Sequence, residues 1–66
     1  MSYAKLRGKI KEIYGTQDAF ALAMGYDRST MSQKLNKKSI WTDEDMKKAC
    51  NLLGIDYSKL HLYFFT

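Results

Sequence analysis

The chain has 66 residues, of which 45% are hydrophobic and 14% aromatic, and its formal net charge is +4. A chain of this length forms one small domain that buries only about 60% of its unfolded surface, so we expect no enzymatic pocket and no small-molecule ligand. With one cysteine, one histidine, no signal-peptide core and no run of about 18 apolar residues, we expect a cytoplasmic protein without disulfide, metal, cofactor or membrane partner.

The first predicted helix covers residues 2–14, with Ser2 as its N-cap and Gly15 at its end. Its apolar side chains follow helical spacing: Tyr3, Leu6, Ile10, Ile13 and Tyr14. Gly8 lies in the middle, where glycine weakens a helix by about 1 kcal/mol relative to alanine. We interpret Gly8 as a point where another segment packs closely.

Residues 17–24 and 28–35 predict two short helices joined by a tight turn at Gly25, which takes a left-handed conformation without a Cβ clash. Thr16 and Asp27 are the predicted N-caps. Apolar residues recur four positions apart in each helix, as Phe20 and Met24 and then as Met31 and Leu35. The second helix is otherwise polar, and most of its side chains can bond bases or phosphates: Arg28, Ser29, Thr30, Ser32, Gln33 and Lys34.

A fourth helix is predicted over residues 43–53. Thr42 and Asp45 have the spacing of a capping box, and Trp41 and Met46 have that of a hydrophobic staple. Its apolar stripe is predicted core: Met46, Ala49, Cys50 and Leu53. Asn36 follows the preceding helix, and we expect this residue to adopt the left-handed conformation that ends a helix.

The end of the chain is aromatic and apolar. Asp56 can cap a short fifth helix over residues 57–60, and the tail from His61 is compatible with a helical turn, an extended segment or a strand. We expect Leu60 inside. The fold class is therefore all-α, with five short helices in one domain over residues 1–66.

The charge is uneven along the chain. Residues 1–38 carry eight Lys/Arg and three Asp/Glu, a net +5, whereas residues 39–66 have a net −1. A basic half indicates a polyanion partner such as nucleic acid, but a solvated surface produces the same bias equally often. For Lys5 and Lys9 we favour solvation.

Residues 17–35 resemble the helix-turn-helix of the Cro/CI-type (lambda repressor-like) phage repressors. The resemblance is carried by Gln17, Phe20, Ala21, Met24, Gly25 and Met31, and the two ends of the chain look like those of very short phage-encoded regulators. It implies a five-helix DNA-binding domain. The chain departs from the family at Lys34, where an aliphatic residue is usual. Ile10 and Leu35 replace an ion pair of some members, and we predict that they pack together.

The resemblance further implies that the second helix of the motif enters the major groove. The base-reading candidates are Arg28, Ser29, Ser32 and Gln33, and the phosphate-binding candidates are Gln17, Asn36, Lys37 and Lys38. A bidentate pair, such as arginine with guanine, discriminates by roughly 1–3 kcal/mol. The alternative for Arg28 is a local ion pair with Asp27 or Asp18.

The expected function is sequence-specific regulation of transcription. A phage or prophage repressor of this type binds a pseudo-palindromic double-stranded DNA operator as a homodimer, with half-sites about 34 Å apart. Candidate residues of the dimer interface are Tyr57, Tyr63, Phe64 and Phe65, although this apolar end can instead fold back on its own chain. We expect a division, in which Phe64 joins Leu60 inside and part of Tyr63 and Phe65 lies at the interface. The alternative function is an antirepressor or modulator that binds another repressor protein rather than DNA.

Overall fold

A computed structural model describes residues 3–65 of the chain, and this part is all-α. Five α-helices and one 3-10 turn follow in order: α1 (Ala4–Tyr14), α2 (Gln17–Met24), α3 (Arg28–Leu35), α4 (Asp43–Leu53), the turn (Tyr57–Lys59) and α5 (Leu60–Phe64). The predicted fold class and the bounds of the second, third and fourth helices are confirmed. No helix in this part of the chain is long and apolar enough to cross a membrane.

Capping side chains fix where three of the helices begin. Thr16, Asp27 and Thr42 each accept a hydrogen bond from the backbone N–H three residues later, at 3.1, 2.7 and 3.1 Å. The Asp45 carboxylate in turn accepts from the N–H of Thr42 at 3.2 Å, which completes the predicted capping box. These bonds satisfy amide groups that the first turn of a helix leaves unpaired.

Gly25 makes the turn between α2 and α3. Its φ of 83° and ψ of 22° lie in the left-handed region, and the N–H of Tyr26 donates to the carbonyl of Ala21 at 2.9 Å. A residue with a Cβ adopts this conformation only at a cost of about 1–2 kcal/mol. The turn therefore depends on glycine, as predicted, and sets α3 against α2.

Two predictions for the first helix are corrected. Gly8 is exposed, and a Cβ added to it would meet no atom within 4 Å, so it is not a point of close packing. Ile13 is 47% exposed, because it lies at the edge of the apolar stripe and not at its centre. The predicted cap Ser2 lies outside the described residues, and the residue before α1 is Tyr3, with φ of 57°.

The exit from α3 also differs from the prediction. Asn36 has an ordinary φ of −98°, and the left-handed residue is Lys37, with φ of 61°. The N–H groups of Lys38 and Ser39 both donate to the carbonyl of Gln33, at 2.8 and 3.2 Å. The chain thus stays hydrogen-bonded to the end of α3 for several residues before it reaches α4.

One hydrophobic core joins all five helices. Its fully buried side chains include Leu6 of α1, Phe20 of α2, Met31 and Leu35 of α3, and Leu53 of α4. The core also contains other residues predicted from helical spacing: Ile10, Met24, Met46, Ala49 and Cys50. Burial raises the pKa of the Cys50 thiol, so the thiol stays protonated and acts as a small apolar side chain.

The aromatic end of the chain forms a helix that returns to the core. Phe64 is only 6% exposed, and its ring centre lies 5.0 Å from that of Trp41. Phe64 is therefore not available for the dimer interface predicted at this end, because its ring is already buried within its own chain. Phe65 is 67% exposed and Tyr57 is 53% exposed, whereas Leu60 and Tyr63 are half-buried.

Candidate interaction site on the helix pair

The helix pair presents one exposed edge, which we call the α2–α3 edge: Asp18, Leu22, Arg28, Ser29 and Gln33. Asp18 and Leu22 are four residues apart and share a face of α2, and Ser29 and Gln33 have the same relation on α3. An ion pair connects the two helices across this edge. Three of the four predicted base-reading residues, Arg28, Ser29 and Gln33, are exposed, and the fourth, Ser32, is half-buried.

Arg28 forms the local ion pair that was the alternative to a DNA contact. Its Nε lies 3.2 Å from the Oδ2 of Asp18, and the two side chains are 82% and 56% exposed. A pair this open contributes about 0–1 kcal/mol to stability. Its main consequence is electrostatic, because it neutralises the cation nearest the start of α3.

Leu22 is a feature of the edge that the sequence reasoning did not single out. Its side chain is 81% exposed, the largest fraction among the exposed large hydrophobic residues of the described part. Helical spacing was a sufficient signal, because Leu22 falls outside the buried set of Phe20, Ala21 and Met24. The edge therefore combines an exposed apolar side chain with an ion pair that has no net charge.

Lys34 was expected among the polar, exposed side chains of α3, and this expectation is wrong. The residue is 6% exposed, and its Nζ donates to the Oδ2 of Asp45 at 2.9 Å and to the carbonyl of Ile40 at 2.8 Å. It also lies 5.1 Å from the centre of the Tyr26 ring. The aliphatic stem of lysine fills the position where an apolar residue is usual, while the ammonium group finds a partner inside.

The Asp45 carboxylate is held ionised by several donors. Burial alone would raise its pKa, but hydrogen bonds from the Tyr26 hydroxyl, Lys34 and the Thr42 N–H, with the charge of Lys34, lower it to about 2. The same bond to Asp45 raises the pKa of Tyr26. This buried network fixes the end of α3 against the start of α4 and thereby orients the α2–α3 edge.

Two of the phosphate-binding candidates take part in contacts within the chain. The Oδ1 of Asn36 accepts from the Nη2 of Arg7 at 2.9 Å, and its Nδ2 donates to the Ser32 Oγ at 3.2 Å. The Nζ of Lys37 lies 5.2 Å from the centre of the Tyr3 ring. Lys38 is exposed and Gln17 is half-buried. Asn36 therefore contacts one of the base-reading candidates, Ser32.

Arg7, a residue of α1, caps the C-terminal end of α3. This contact was not predicted from the sequence. The Nη2 of Arg7 donates to the carbonyl of Leu35 at 2.9 Å, a group that the last turn of a helix leaves without a partner. Arg7, Ile10, Gln17 and Leu35 line a cavity of about 170 Å³. Ile10 and Leu35 are both buried here, and their direct contact stays a prediction.

Comparisons with known proteins give a family and a solved structure. The family described as "Protein of unknown function (DUF739)" matches residues 1–66. The fold is similar to the solution structure of the modulator of repression (MOR) of the temperate bacteriophage TP901-1 from Lactococcus lactis, with 43% sequence identity and a TM-score of 0.89. The match covers 98% of this chain and 88% of that chain. None of the curated proteins compared with the chain matches it significantly.

Proposed function

The chain belongs to the DUF739 family, and we propose that it is a phage regulator of repression that acts by binding a repressor protein. The similarity to a phage modulator of repression, at 43% identity over nearly the whole chain, supports a regulatory role in preference to a catalytic one. Such a regulator acts inside the bacterial host cell. The α2–α3 edge is the surface that we propose for the contact with the repressor.

The observation that carries this proposal is the exposure of Leu22 beside the Asp18–Arg28 ion pair. Burying a leucine side chain at an interface stabilises a complex by about 1.5–3 kcal/mol. Protein interfaces typically place apolar side chains at the centre and polar or charged ones at the rim. A phosphate backbone, in contrast, gains nothing from Leu22 and meets an ion pair that has no net charge.

Binding of double-stranded operator DNA, as a homodimer on a pseudo-palindrome, is the second candidate. Ser29 and Gln33 favour it, because both are exposed on α3 and both side chains can bond base edges. It ranks second because Arg28 is paired and Lys34 is buried. Arg28 can still be released to DNA at little cost, since its pair is exposed.

The two candidates are separated by presenting the purified chain with each partner in turn. The partners are the repressor encoded in the same phage or prophage genome and DNA from the promoter that the repressor controls. We expect calorimetry to show a complex with the repressor, and a mobility-shift assay at two salt concentrations to show no shift by the chain alone. A shift by the chain alone, weakened by salt and abolished by Arg28→Ala with Gln33→Ala, would establish DNA binding instead.

A further inference from the structure

A groove of about 330 Å³ shares no residue with the α2–α3 edge. It is bordered by residues from the start of α1, the connection between α3 and α4, and the end of α5. Its apolar lining residues are Tyr3, Ile40, Trp41, Met46, Phe64 and Phe65. The volume is at the lower end of the range for small-ligand sites, so the groove fits a few side chains and no large molecule.

The floor of the groove is a cluster of three aromatic rings. The centres of Tyr3 and Trp41 lie 6.2 Å apart, those of Tyr3 and Phe64 lie 6.3 Å apart, and the rings meet edge to face. The Nε1 of Trp41 is buried and has no hydrogen-bond partner among the described residues. An unsatisfied buried donor costs about 1–3 kcal/mol, and an acceptor that reached this indole N–H would remove that cost.

The two apolar residues at the edges of the groove are exposed, and one of them is held in place. Ile40 is 78% exposed and Phe65 is 67% exposed. The carbonyl of Ile40 accepts from the buried Lys34 at 2.8 Å, and the next residue, Trp41, is buried. Ile40 is therefore displayed by an anchored backbone, which limits the entropy lost when a partner covers it.

The one charged residue in the lining is Lys37, whose Nζ lies 5.2 Å from the centre of the Tyr3 ring. Lys37 and Tyr3 are the non-glycine residues of the described part that have a positive φ, of 61° and 57°. Each such conformation costs of order 1–3 kcal/mol and persists where the surroundings impose it. Here the two strained residues meet at the groove and place a cation at its rim.

We propose that this groove docks a peptide segment of a partner protein, a segment that carries a large apolar side chain beside an acidic one. The apolar side chain lies against the aromatic floor, and the carboxylate pairs with Lys37. Charge argues against a second copy of this chain as the occupant, because a symmetric contact would bring two Lys37 side chains together in a protein with net charge +4.

The test uses nuclear magnetic resonance of the full chain and the indole N–H of Trp41, the chain's one tryptophan. The probe is a blocked peptide with leucine and phenylalanine between aspartates, and the control peptide has lysines in place of the aspartates. We expect the acidic peptide, at millimolar concentration, to shift the Trp41 indole signal and the signals of Lys37 and Ile40. The basic peptide should produce no comparable shift.

Two variants test whether the contact is the one described. Lys37→Glu should weaken the binding of the acidic peptide by about fivefold or more, as expected for a surface charge pair. The same change should strengthen the binding of the basic peptide. Ile40→Ser should also weaken the binding of the acidic peptide. Leu22, on the α2–α3 edge, is similarly exposed, and Leu22→Ser should leave the binding of this peptide unchanged. Thermal melts check that the variants fold.

Three results would overturn the proposal. The first is that neither peptide shifts the Trp41 signal. The second is an equal response to both peptides. The third is a shift that appears on concentrating the protein alone and accompanies dimerisation in sedimentation, which would assign the groove to a second copy.

Discussion

Lys34 and Asp45 form a buried ion pair that joins α3 to α4, with 2.9 Å between Nζ and Oδ2 and side chains only 8% and 9% exposed. Buried charges are tolerated only when they are paired and hydrogen-bonded, and both conditions are met here by Tyr26, the Ile40 carbonyl and the Thr42 N–H. Because α3 bears three of the five residues of the proposed contact edge, this pair links the stability of the domain to the orientation of its interaction surface.

Removing one partner of this pair should strongly destabilise the domain. We expect Asp45→Ala to lower the free energy of unfolding by about 3–5 kcal/mol, since it leaves a buried ammonium group without its carboxylate. The double variant Lys34→Met with Asp45→Ala should recover most of the loss, because no unpaired charge remains. Urea denaturation measures both, and equal losses in the single and the double variant would contradict the account.

Stability should fall in acid through Asp45. Its pKa in the folded chain is about 2, below the ordinary value of 3.8, so its contribution is fully present above pH 3.8 and is lost as the pH falls through 2. That contribution is about 2 kcal/mol. Denaturation midpoints across this range should drop, and the drop should be smaller in Asp45→Ala. Asp27, whose pKa is lowered by its hydrogen bonds to Thr30, acts in the same direction and remains in the variant as a control.

Replacing each of two glycines with alanine should change the stability of the domain in opposite directions. Gly25→Ala forces a Cβ into a left-handed turn and should destabilise the domain by about 1–2 kcal/mol. Gly8→Ala lies in an exposed helix position with open space around it and should stabilise by about 0.5–1 kcal/mol. Thermal melting of both variants provides the comparison, and destabilisation by Gly8→Ala would revive the close-packing interpretation.

Neighbouring phenylalanines at the C-terminal end should behave differently. Phe64→Ala removes a buried ring from the aromatic cluster and should cost about 3–5 kcal/mol. Phe65→Ala should change the free energy of unfolding by less than about 0.5 kcal/mol, because the ring is exposed. A large loss of stability in Phe65→Ala would contradict its placement.

Local signals were sufficient to predict most of the fold. Thr16, Asp27 and Thr42 are good caps at correct spacings, and glycines end helices where their positive φ is needed, so helix bounds followed from the sequence. Helical periodicity also identified the core methionines and Cys50. These signals work because each depends on residues within one or two turns of each other.

What the sequence did not reveal depends on contacts between distant residues. A lysine is usually exposed because its side chain is charged. Lys34 is buried because it pairs with Asp45, which is eleven positions away in the chain. Asn36 was the better candidate for a left-handed residue, yet Lys37 takes that conformation. The sequence allowed Phe64 inside and Phe65 outside, but it did not identify Trp41 as the ring against which Phe64 packs.

The most direct test of the proposed function is the affinity of the chain for its repressor, measured by calorimetry for the wild type, Leu22→Ser and the control Tyr57→Ser. Leu22 and Tyr57 are both exposed, on different elements, so neither change should alter folding. We predict that Leu22→Ser weakens the complex by about tenfold or more, while Tyr57→Ser leaves it unchanged. Wild-type affinity in Leu22→Ser, or no complex with the repressor at all, would contradict the account.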